Sequence, residues 1–276
     1  MNAKIKVEFS EQIVVITGAG SGIGKATALL FAEHDATIIV CGRHQSTLDE
    51  TVREIEQKNG KIFAIPMDVT DWTQVRNMTD NVLQRFGKID IIINNAGIIN
   101  VKPTVQMTEK EWDSVIDTNL KGVFLCCKAV IPSMTSANKG RIINISSNLG
   151  KTGIANHSAY CASKFGVIGL TQALADELKN NNIRVFAVCP GSTNTDLHRN
   201  VVGDEMAKFA MSPKIVAEVI YNLSSEKSKV SSGSSIIIDE SSPPPAKNNK
   251  EKILRGLKSI FHPKKLLREI KSRFRK

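Results

Sequence analysis

Short apolar runs rich in β-branched residues alternate with stretches of helical spacing along most of the chain. Such runs are typical of strands that are buried on both faces. Their alternation with helices predicts an α/β fold, a doubly wound parallel sheet of about seven strands in a single domain. The predicted strands are residues 13–17, 37–40, 63–66, 89–93, 141–146, 184–188 and 235–239, and the predicted helices are residues 24–34, 45–59, 71–86, 109–135, 158–181 and 213–224.

The composition changes abruptly after this pattern ends. Residues 241–249 are polar and contain three consecutive prolines, which is typical of an extended linker. Residues 246–276 hold twelve Lys and Arg against two Glu and so account for the whole net charge of +10. We therefore predict a domain over residues 1–240, a linker over 241–249 and a basic tail over 250–276.

The apolar residues of the tail recur at helical spacing on both sides of Pro263, which predicts two basic amphipathic helices. An anionic membrane surface would hold such helices. A protein partner or self-association would also bury the apolar faces, and a solvated or nucleic-acid-binding tail is a further alternative. Nucleic acid is disfavoured as a partner because the tail has no Tyr or Trp on which bases could stack.

The overall composition, 41% hydrophobic and 23% charged, excludes a disordered or fibrous protein. The five cysteines form no C-x-x-C pair, so neither a zinc ribbon nor a disulfide framework is indicated, and we expect no metal site. The chain starts without the apolar core of a signal peptide and has no apolar run of about 18 residues. These features predict a cytoplasmic protein.

A glycine-rich turn follows the first predicted strand and opens the first predicted helix. In this segment Gly18 allows a tight turn, Gly22 lets the backbone approach a pyrophosphate, and Gly24 lets the helix pack closely. The turn therefore predicts a dinucleotide site of the Rossmann type. Its residues are Thr17, Gly18, Ser21, Gly22, Ile23 and Gly24.

The second predicted strand is followed by Gly42 and Arg43, where an enzyme that binds NAD would be expected to place an acidic residue. A glycine and a cation leave room and charge for a 2′-phosphate, which favours NADP(H) as the cofactor. Alternatively, Arg43 is a solvated loop charge, and NAD(H) is possible as well.

Tyr160 and Lys164 lie four residues apart in a predicted helix and so share one face. A lysine ammonium beside a phenol favours the phenolate and lowers the tyrosine pKa, which gives a general acid or base near neutral pH. Such a pair is common in structural roles, so it becomes informative only together with other motifs.

Those other motifs occur here in a single order. They are T-G-x-x-x-G-x-G, Asp68-Val69, Asn94 to Gly97, Asn119, Ser146-Ser147, the Tyr160 and Lys164 pair, and Pro190-Gly191 with Thr195. In this combination the chain, over roughly residues 10–240, resembles the single-domain short-chain dehydrogenase/reductase family.

The resemblance implies a catalytic role for four residues. Tyr160 would pass a proton to or from the substrate oxygen, and Lys164 would hold the nicotinamide ribose and lower the pKa of Tyr160. Ser147 would hydrogen-bond the substrate carbonyl, with Ser146 as its structural neighbour. Asn119 would support a water relay to Lys164.

The resemblance also implies cofactor contacts and partners. Contacts to the adenine would come from Asp68 and Val69, and contacts at the end of the fourth strand from Asn95, Ala96 and Gly97. Pro190, Gly191, Thr193 and Thr195 would embrace the nicotinamide. The expected partners are a small-molecule alcohol or carbonyl compound and further copies of the chain, because the family favours a homo-oligomer. The chain lacks the usual glycine turn after its last strand, which puts one subunit contact in doubt.

Two functions compete at this point. The first is an NADP(H)-dependent alcohol dehydrogenase or carbonyl reductase acting on a lipophilic substrate, since the segment between Thr195 and Pro213 forms an apolar lid in the predicted fold. The second is a cofactor-binding scaffold or regulatory protein that acts through its cationic tail. A complete set of catalytic residues favours the first, because a scaffold has no chemical need for them.

Overall fold

The computed structural model describes residues 8–239, so the predicted linker and tail lie outside the described residues. Seven parallel strands form one sheet in the order β3-β2-β1-β4-β5-β6-β7. This arrangement confirms the predicted α/β class and strand number. The strands are β1 Ile13–Thr17, β2 Thr37–Gly42, β3 Lys61–Pro66, β4 Ile91–Asn94, β5 Gly140–Ile145, β6 Ile183–Pro190 and β7 Ser235–Ile238.

Helices cover both faces of the sheet and bury its apolar side chains in two layers. One layer is packed by α1, α2 and α9, and the other by α3, α5 and α6. The helices are α1 Gly22–Ala32, α2 Gln45–Glu56, α3 Trp72–Phe86, α4 Glu109–Ile116, α5 Gly122–Ser136, α6 Ser158–Glu177, α7 Asp196–Val202, α8 Asp204–Ala207 and α9 Pro213–Ser224.

The strand order reverses direction between β1 and β4, which pair directly with each other. From β1 the chain builds outward to β2 and β3, and from β4 it builds outward on the other side. The connections that leave the carboxyl ends of β1 and β4 therefore diverge and open a crevice between them. In open parallel sheets this crevice is where ligands bind.

The predicted helix over residues 109–135 is interrupted. A π-helical turn at Asp117–Lys121 separates α4 from α5. The hydrophobic spacing on either side fits one continuous helix, and a single wide turn changes that spacing too little to be seen in sequence. The difference matters because such turns occur frequently at functional sites.

The last strand closes the sheet without a glycine turn. β7 pairs in parallel with β6, and the Gly191 N–H donates to the Ile238 carbonyl at 2.7 Å. All five cysteines are buried and free. Among residues 8–239, no helix combines the length and apolar character needed to cross a membrane.

A buried polar ladder crosses the two central strands. Asn94 of β4 and Asn144 of β5 are paired in register, and the Asn94 Nδ2 donates to the Asn144 Oδ1 at 2.8 Å. The Asn144 Nδ2 in turn donates to the Thr171 hydroxyl of α6 at 3.0 Å. All three side chains are at most 2% exposed, so this ladder is a row of hydrogen-bonded polar groups buried within the apolar core.

Candidate active site

The glycine turn after β1 has no room for side chains. Gly18 and Gly22 have φ of +64° and +54°, which L-residues rarely adopt. A Cβ at Gly18 would lie 2.8 Å from the Ala96 Cα, and one at Gly24 would lie 2.4 Å from the Gly18 carbonyl oxygen. Ser21 precedes α1 without a side-chain capping hydrogen bond. The first N–H groups of α1 are therefore oriented into a cradle of backbone, which suits a pyrophosphate.

Two side chains join this turn to the end of β4. The Thr17 hydroxyl oxygen accepts the N–H groups of Asn95 and Ala96, each at 3.0 Å. The Asn95 Nδ2 donates to the carbonyls of Thr17 and Gly18, also at 3.0 Å each. The predicted residues Asn95 and Ala96 are thus bonded directly to the glycine turn.

The connection after β6 reaches the same turn. A Cβ at Gly22 would lie 2.9 Å from the Thr195 Cγ2, so the start of α1 and the start of α7 are in contact. Pro190 ends β6, and the buried Thr193 donates its hydroxyl to the Gly191 carbonyl at 3.0 Å. The predicted nicotinamide residues are therefore brought against the predicted pyrophosphate residues.

The predicted adenine residues lie two strands away, after β3. The Asp68 Oδ1 accepts the backbone N–H and the hydroxyl of Thr70, both at 2.9 Å. Val69 is 7% exposed and packs against Gly122, where a Cβ would lie 2.7 Å from its Cγ2. Arg43 follows β2 with an exposed side chain. These residues edge the crevice on the side of β2 and β3.

The catalytic candidates meet where β4, β5 and α6 converge. Lys164 is 4% exposed and its ammonium donates to the Ile145 carbonyl at 2.9 Å, while lying 5.5 Å from the centre of the Tyr160 ring. The Ser147 hydroxyl donates to the Asn148 Oδ1 at 3.1 Å and accepts the Leu149 N–H at 3.1 Å, and it lies close enough to the Tyr160 phenol to affect the pKa of that phenol. A Cβ at Gly97 would lie 3.6 Å from the Lys164 Nζ, so the loop after β4 passes directly over the lysine.

The acid–base properties of this group correct one expectation. Burial raises the pKa of Tyr160 to about 12, although the hydrogen bond to Ser147 opposes the rise. The net shift is therefore upward and not the expected lowering, because loss of hydration dominates for a side chain that is only 8% exposed. Burial also lowers the pKa of Lys164 to about 8. A tyrosine that keeps its proton and a lysine that loses it easily thus lie side by side.

Asn119 occupies the π-helical turn and is fully buried. Its Oδ1 accepts the Ile98 N–H at 2.8 Å, and its Nδ2 donates to the Ile98 carbonyl at 2.9 Å and to the Ser163 hydroxyl at 3.1 Å. The Ser163 hydroxyl donates to the Tyr160 carbonyl at 2.7 Å. The amide of Asn119 therefore ties the loop after β4 to the helical turn that carries Tyr160.

Ser163 was not singled out in the sequence, although it follows Tyr160 at the i, i+3 spacing of neighbours on one helix face. Ser146, interpreted as a structural neighbour of Ser147, donates its hydroxyl to the Lys164 carbonyl at 2.8 Å. Two serines thus fix the backbone on either side of the catalytic candidates. The crevice as a whole places a phenol, a hydroxyl and an ammonium beside a cradle for a dinucleotide.

Comparisons with known proteins agree with this geometry. The short chain dehydrogenase family profile matches residues 12–206. The chain is 41% identical over 231 residues to the 3-oxoacyl-[acyl-carrier-protein] reductase FabG of Thermotoga maritima, covering 80% of this chain and 94% of that protein. It is 38% identical to the protein of the same name from Staphylococcus aureus, over 79% of this chain and 93% of that protein.

Solved structures give the same result. The structure of levodione reductase superposes with a TM-score of 0.80 at 31% identity, covering 84% of this chain and 97% of that chain. A short-chain type dehydrogenase/reductase from Mycobacterium marinum superposes with a TM-score of 0.80 at 36% identity, covering 85% and 96%. From its sequence, its sheet topology and these relatives, the protein is an oxidoreductase of the short-chain dehydrogenase family.

Proposed function

We propose that the protein is an NADP(H)-dependent carbonyl reductase, or alcohol dehydrogenase in the reverse direction, with a lipophilic substrate. The observation that carries this proposal is the convergence of Tyr160, Ser147 and Lys164 in the crevice, next to the glycine turn. No observation specifically favours the alternative of a cofactor-binding scaffold, for which these three side chains would have no chemical use.

The cofactor would be held by the backbone cradle of Gly18 and Gly22, by Val69 at the adenine and by Thr195 at the nicotinamide. Bound NADP(H) supplies or accepts the hydride. Arg43 supports the choice of NADP(H), because its exposed cation follows β2 where no acidic side chain would repel a 2′-phosphate. A preference for NADPH over NADH that Arg43→Ala abolishes would support this assignment, and equal binding of both cofactors by the unaltered protein would overturn it.

In the reduction direction Tyr160 donates its phenolic proton to the carbonyl oxygen of the substrate, and Ser147 donates a hydrogen bond to the same oxygen. The raised pKa of Tyr160 keeps the proton in place until negative charge develops on that oxygen. Lys164 then stabilises the phenolate that is left. Asn119 and Ser163 hold the two helical turns at the spacing this transfer requires.

The proposed substrate class is supported by the relatives and by the apolar segment between Thr195 and Pro213. The similar FabG proteins are named as reductases of a 3-oxoacyl group carried on acyl carrier protein. A 3-oxoacyl group is a ketone with an apolar chain, so it combines the carbonyl that Tyr160 can protonate with a tail that the lid can cover. We propose 3-oxoacyl thioesters as the first ketones to test.

The test is NADPH oxidation with 3-oxoacyl thioesters of increasing chain length, in the unaltered protein and in Tyr160→Phe. We expect turnover in the first and a loss of at least about a thousandfold in the second, because the general acid is removed. NADPH binding should persist in Tyr160→Phe. Turnover that survives this substitution would contradict the catalytic assignment, and cofactor binding without turnover of any carbonyl compound by the unaltered protein would favour the scaffold.

We further propose that the protein works in the cytoplasm as a homo-oligomer and associates peripherally with anionic membranes through residues 250–276. Exposed aromatic side chains on α4, α5 and α6, namely Trp112, Phe124 and Phe165, support a subunit interface. The basic amphipathic pattern of the tail supports membrane association. Sedimentation measures the oligomeric state. Flotation with anionic vesicles, carried out on the protein with and without residues 246–276, measures membrane association. A monomer in sedimentation would refute the proposed homo-oligomer. A full chain that does not float with the vesicles would refute the proposed membrane association.

A further inference from the structure

The exposed apolar side chains of the described region are unevenly distributed. Of eleven large hydrophobic residues with substantial exposure, seven lie on connections at the carboxyl edge of the sheet, the edge where the crevice opens. Among these, Val105 is 94% exposed, Phe209 80% and Met206 63%. Together with Val101 and Ile154, these side chains are called here the apolar rim.

Hydrogen bonds hold the connections that carry the rim. The Lys102 N–H donates to the Asn156 carbonyl at 2.8 Å, which joins the loop of Val101 and Val105 to the loop of Ile154. In the connection after β6, the backbone of Met211 pairs with residues 192 and 194 and closes the base of the lid. The exposed side chains are therefore presented by fixed backbone.

The charged side chains near the rim neutralise one another. Arg199 pairs with Asp196 at 2.6 Å, and Lys208 pairs with Glu205 at 2.6 Å. The rim thus offers apolar contact without a strong net charge of its own. Such a surface needs another source of attraction if it is to bind an anionic surface firmly.

The sequence supplies a source of that attraction in the residues after β7. β7 runs parallel to β6 and ends at Ile238, beside Gly191, so the chain leaves the sheet at its carboxyl edge. Farther along the chain, residues 246–276 carry the whole net charge of +10. Apolar side chains and a cationic segment attached at one edge are the combination by which peripheral proteins bind anionic bilayers.

We propose that the apolar rim is the part of the folded domain that contacts an anionic lipid surface, so that the mouth of the crevice faces the bilayer. The inference rests on the proposed membrane association and adds the face involved. In that orientation a lipophilic ketone or alcohol passes between the bilayer and the crevice without crossing bulk water. Docking of a protein partner on the rim is the alternative that the experiment below must separate.

All five native cysteines are buried, so a thiol-reactive label will attach selectively to a single cysteine introduced at the surface. We would attach an environment-sensitive fluorophore to Val105→Cys and, separately, to Phe209→Cys in the full chain. The matched control is Gln57→Cys, an exposed position in the connection from α2 to β3 at the opposite edge of the sheet. Each protein is mixed with vesicles of phosphatidylserine and phosphatidylcholine.

We expect the label at positions 105 and 209 to shift its emission to shorter wavelength on vesicles, with the label at position 57 unchanged. Replacing Val105 and Phe209 together by Ser should weaken vesicle binding about tenfold, because exposed apolar side chains lose their contact with lipid. Flotation of the full chain without any shift at 105 or 209 would overturn this inference and leave tail-driven association intact. Failure to float would refute the proposed association itself.

Discussion

The buried lysine of the crevice makes a quantitative prediction. Lys164 is 4% exposed, and burial lowers its pKa from 10.5 to about 8. A shift of one pKa unit corresponds to about 1.4 kcal/mol, so the folded protein holds the charged lysine at a cost of roughly 3 kcal/mol at neutral pH. Lys164→Met removes the charge and keeps most of the side-chain volume. It also removes the hydrogen bond to the Ile145 carbonyl, an effect that does not vary with pH.

The pH dependence separates these two effects. Below pH 8 Lys164 is protonated in both the folded and the unfolded state. The full cost of burying its charge is then present, and Lys164 does not make the free energy of unfolding depend on pH. Between pH 8 and 10.5 the unfolded chain binds the extra proton, so the unaltered protein gains stability as pH rises. From pH 7 to pH 10 we expect its free energy of unfolding to rise by about 2.5 kcal/mol relative to Lys164→Met.

Urea unfolding at both pH values, followed by circular dichroism at one protein concentration, measures this difference. Tyr160 is present in both proteins, so its own titration cancels. Lys61→Met, at an exposed position at the start of β3, is the control for the general effect of removing one positive charge. A stability difference between the unaltered protein and Lys164→Met that stays constant from pH 7 to pH 10 would refute the argument that burial sets this pKa.

Three further substitutions, with Gly169→Ala as a control, test the packing of the crevice. Gly24→Ala should destabilise the protein by about 2 kcal/mol or more in urea unfolding and weaken NADPH binding in titrations, because its Cβ meets fixed backbone at 2.4 Å. Gly169→Ala, on an open surface of α6, should instead stabilise by about 1 kcal/mol, and equal effects at both sites would contradict this reasoning. Thr17→Val leaves two N–H groups unpaired and should cost about 3 kcal/mol in the same unfolding assay; a loss below about 1 kcal/mol would count against its bridging role. Ser163→Ala should lower kcat about tenfold in steady-state kinetics. The KM for NADPH should stay unchanged, since Asn119 keeps its hydrogen bonds to Ile98 and so its position. An unchanged kcat would show that Ser163 does not position the catalytic residues.

The fold was predictable because its central strands are buried on both faces. Runs such as those of β1, β4 and β5 read as continuous apolar segments, and their alternation with amphipathic helices leaves few topologies open. The break at Asp117–Lys121 could not be predicted. One residue added to a helical turn alters hydrogen bonding without changing which side chains are apolar.

The candidate site was predictable where the backbone requires glycine or where a motif fixes a spacing, as with Gly18 and the pair of Tyr160 and Lys164. The direction of the Tyr160 pKa shift was not, because proximity of a charge is visible in sequence whereas the extent of burial is not. Ser163 was missed for a related reason: a serine inside a helix shows no sign of the partner, Asn119, that lies 44 residues away.

The amide ladder through the sheet also bears on how the chain finds its fold. A slip of one residue between β4 and β5 would place Asn94 opposite an isoleucine and separate the two paired amides. Apolar neighbours such as Ile92 and Ile142 tolerate that slip far better, since one aliphatic contact replaces another. Parallel strands far apart in sequence pair late and slowly. The two asparagines therefore destabilise intermediates in which β4 and β5 pair in the wrong register. Hydrophobic collapse alone would not distinguish such intermediates from the native pairing.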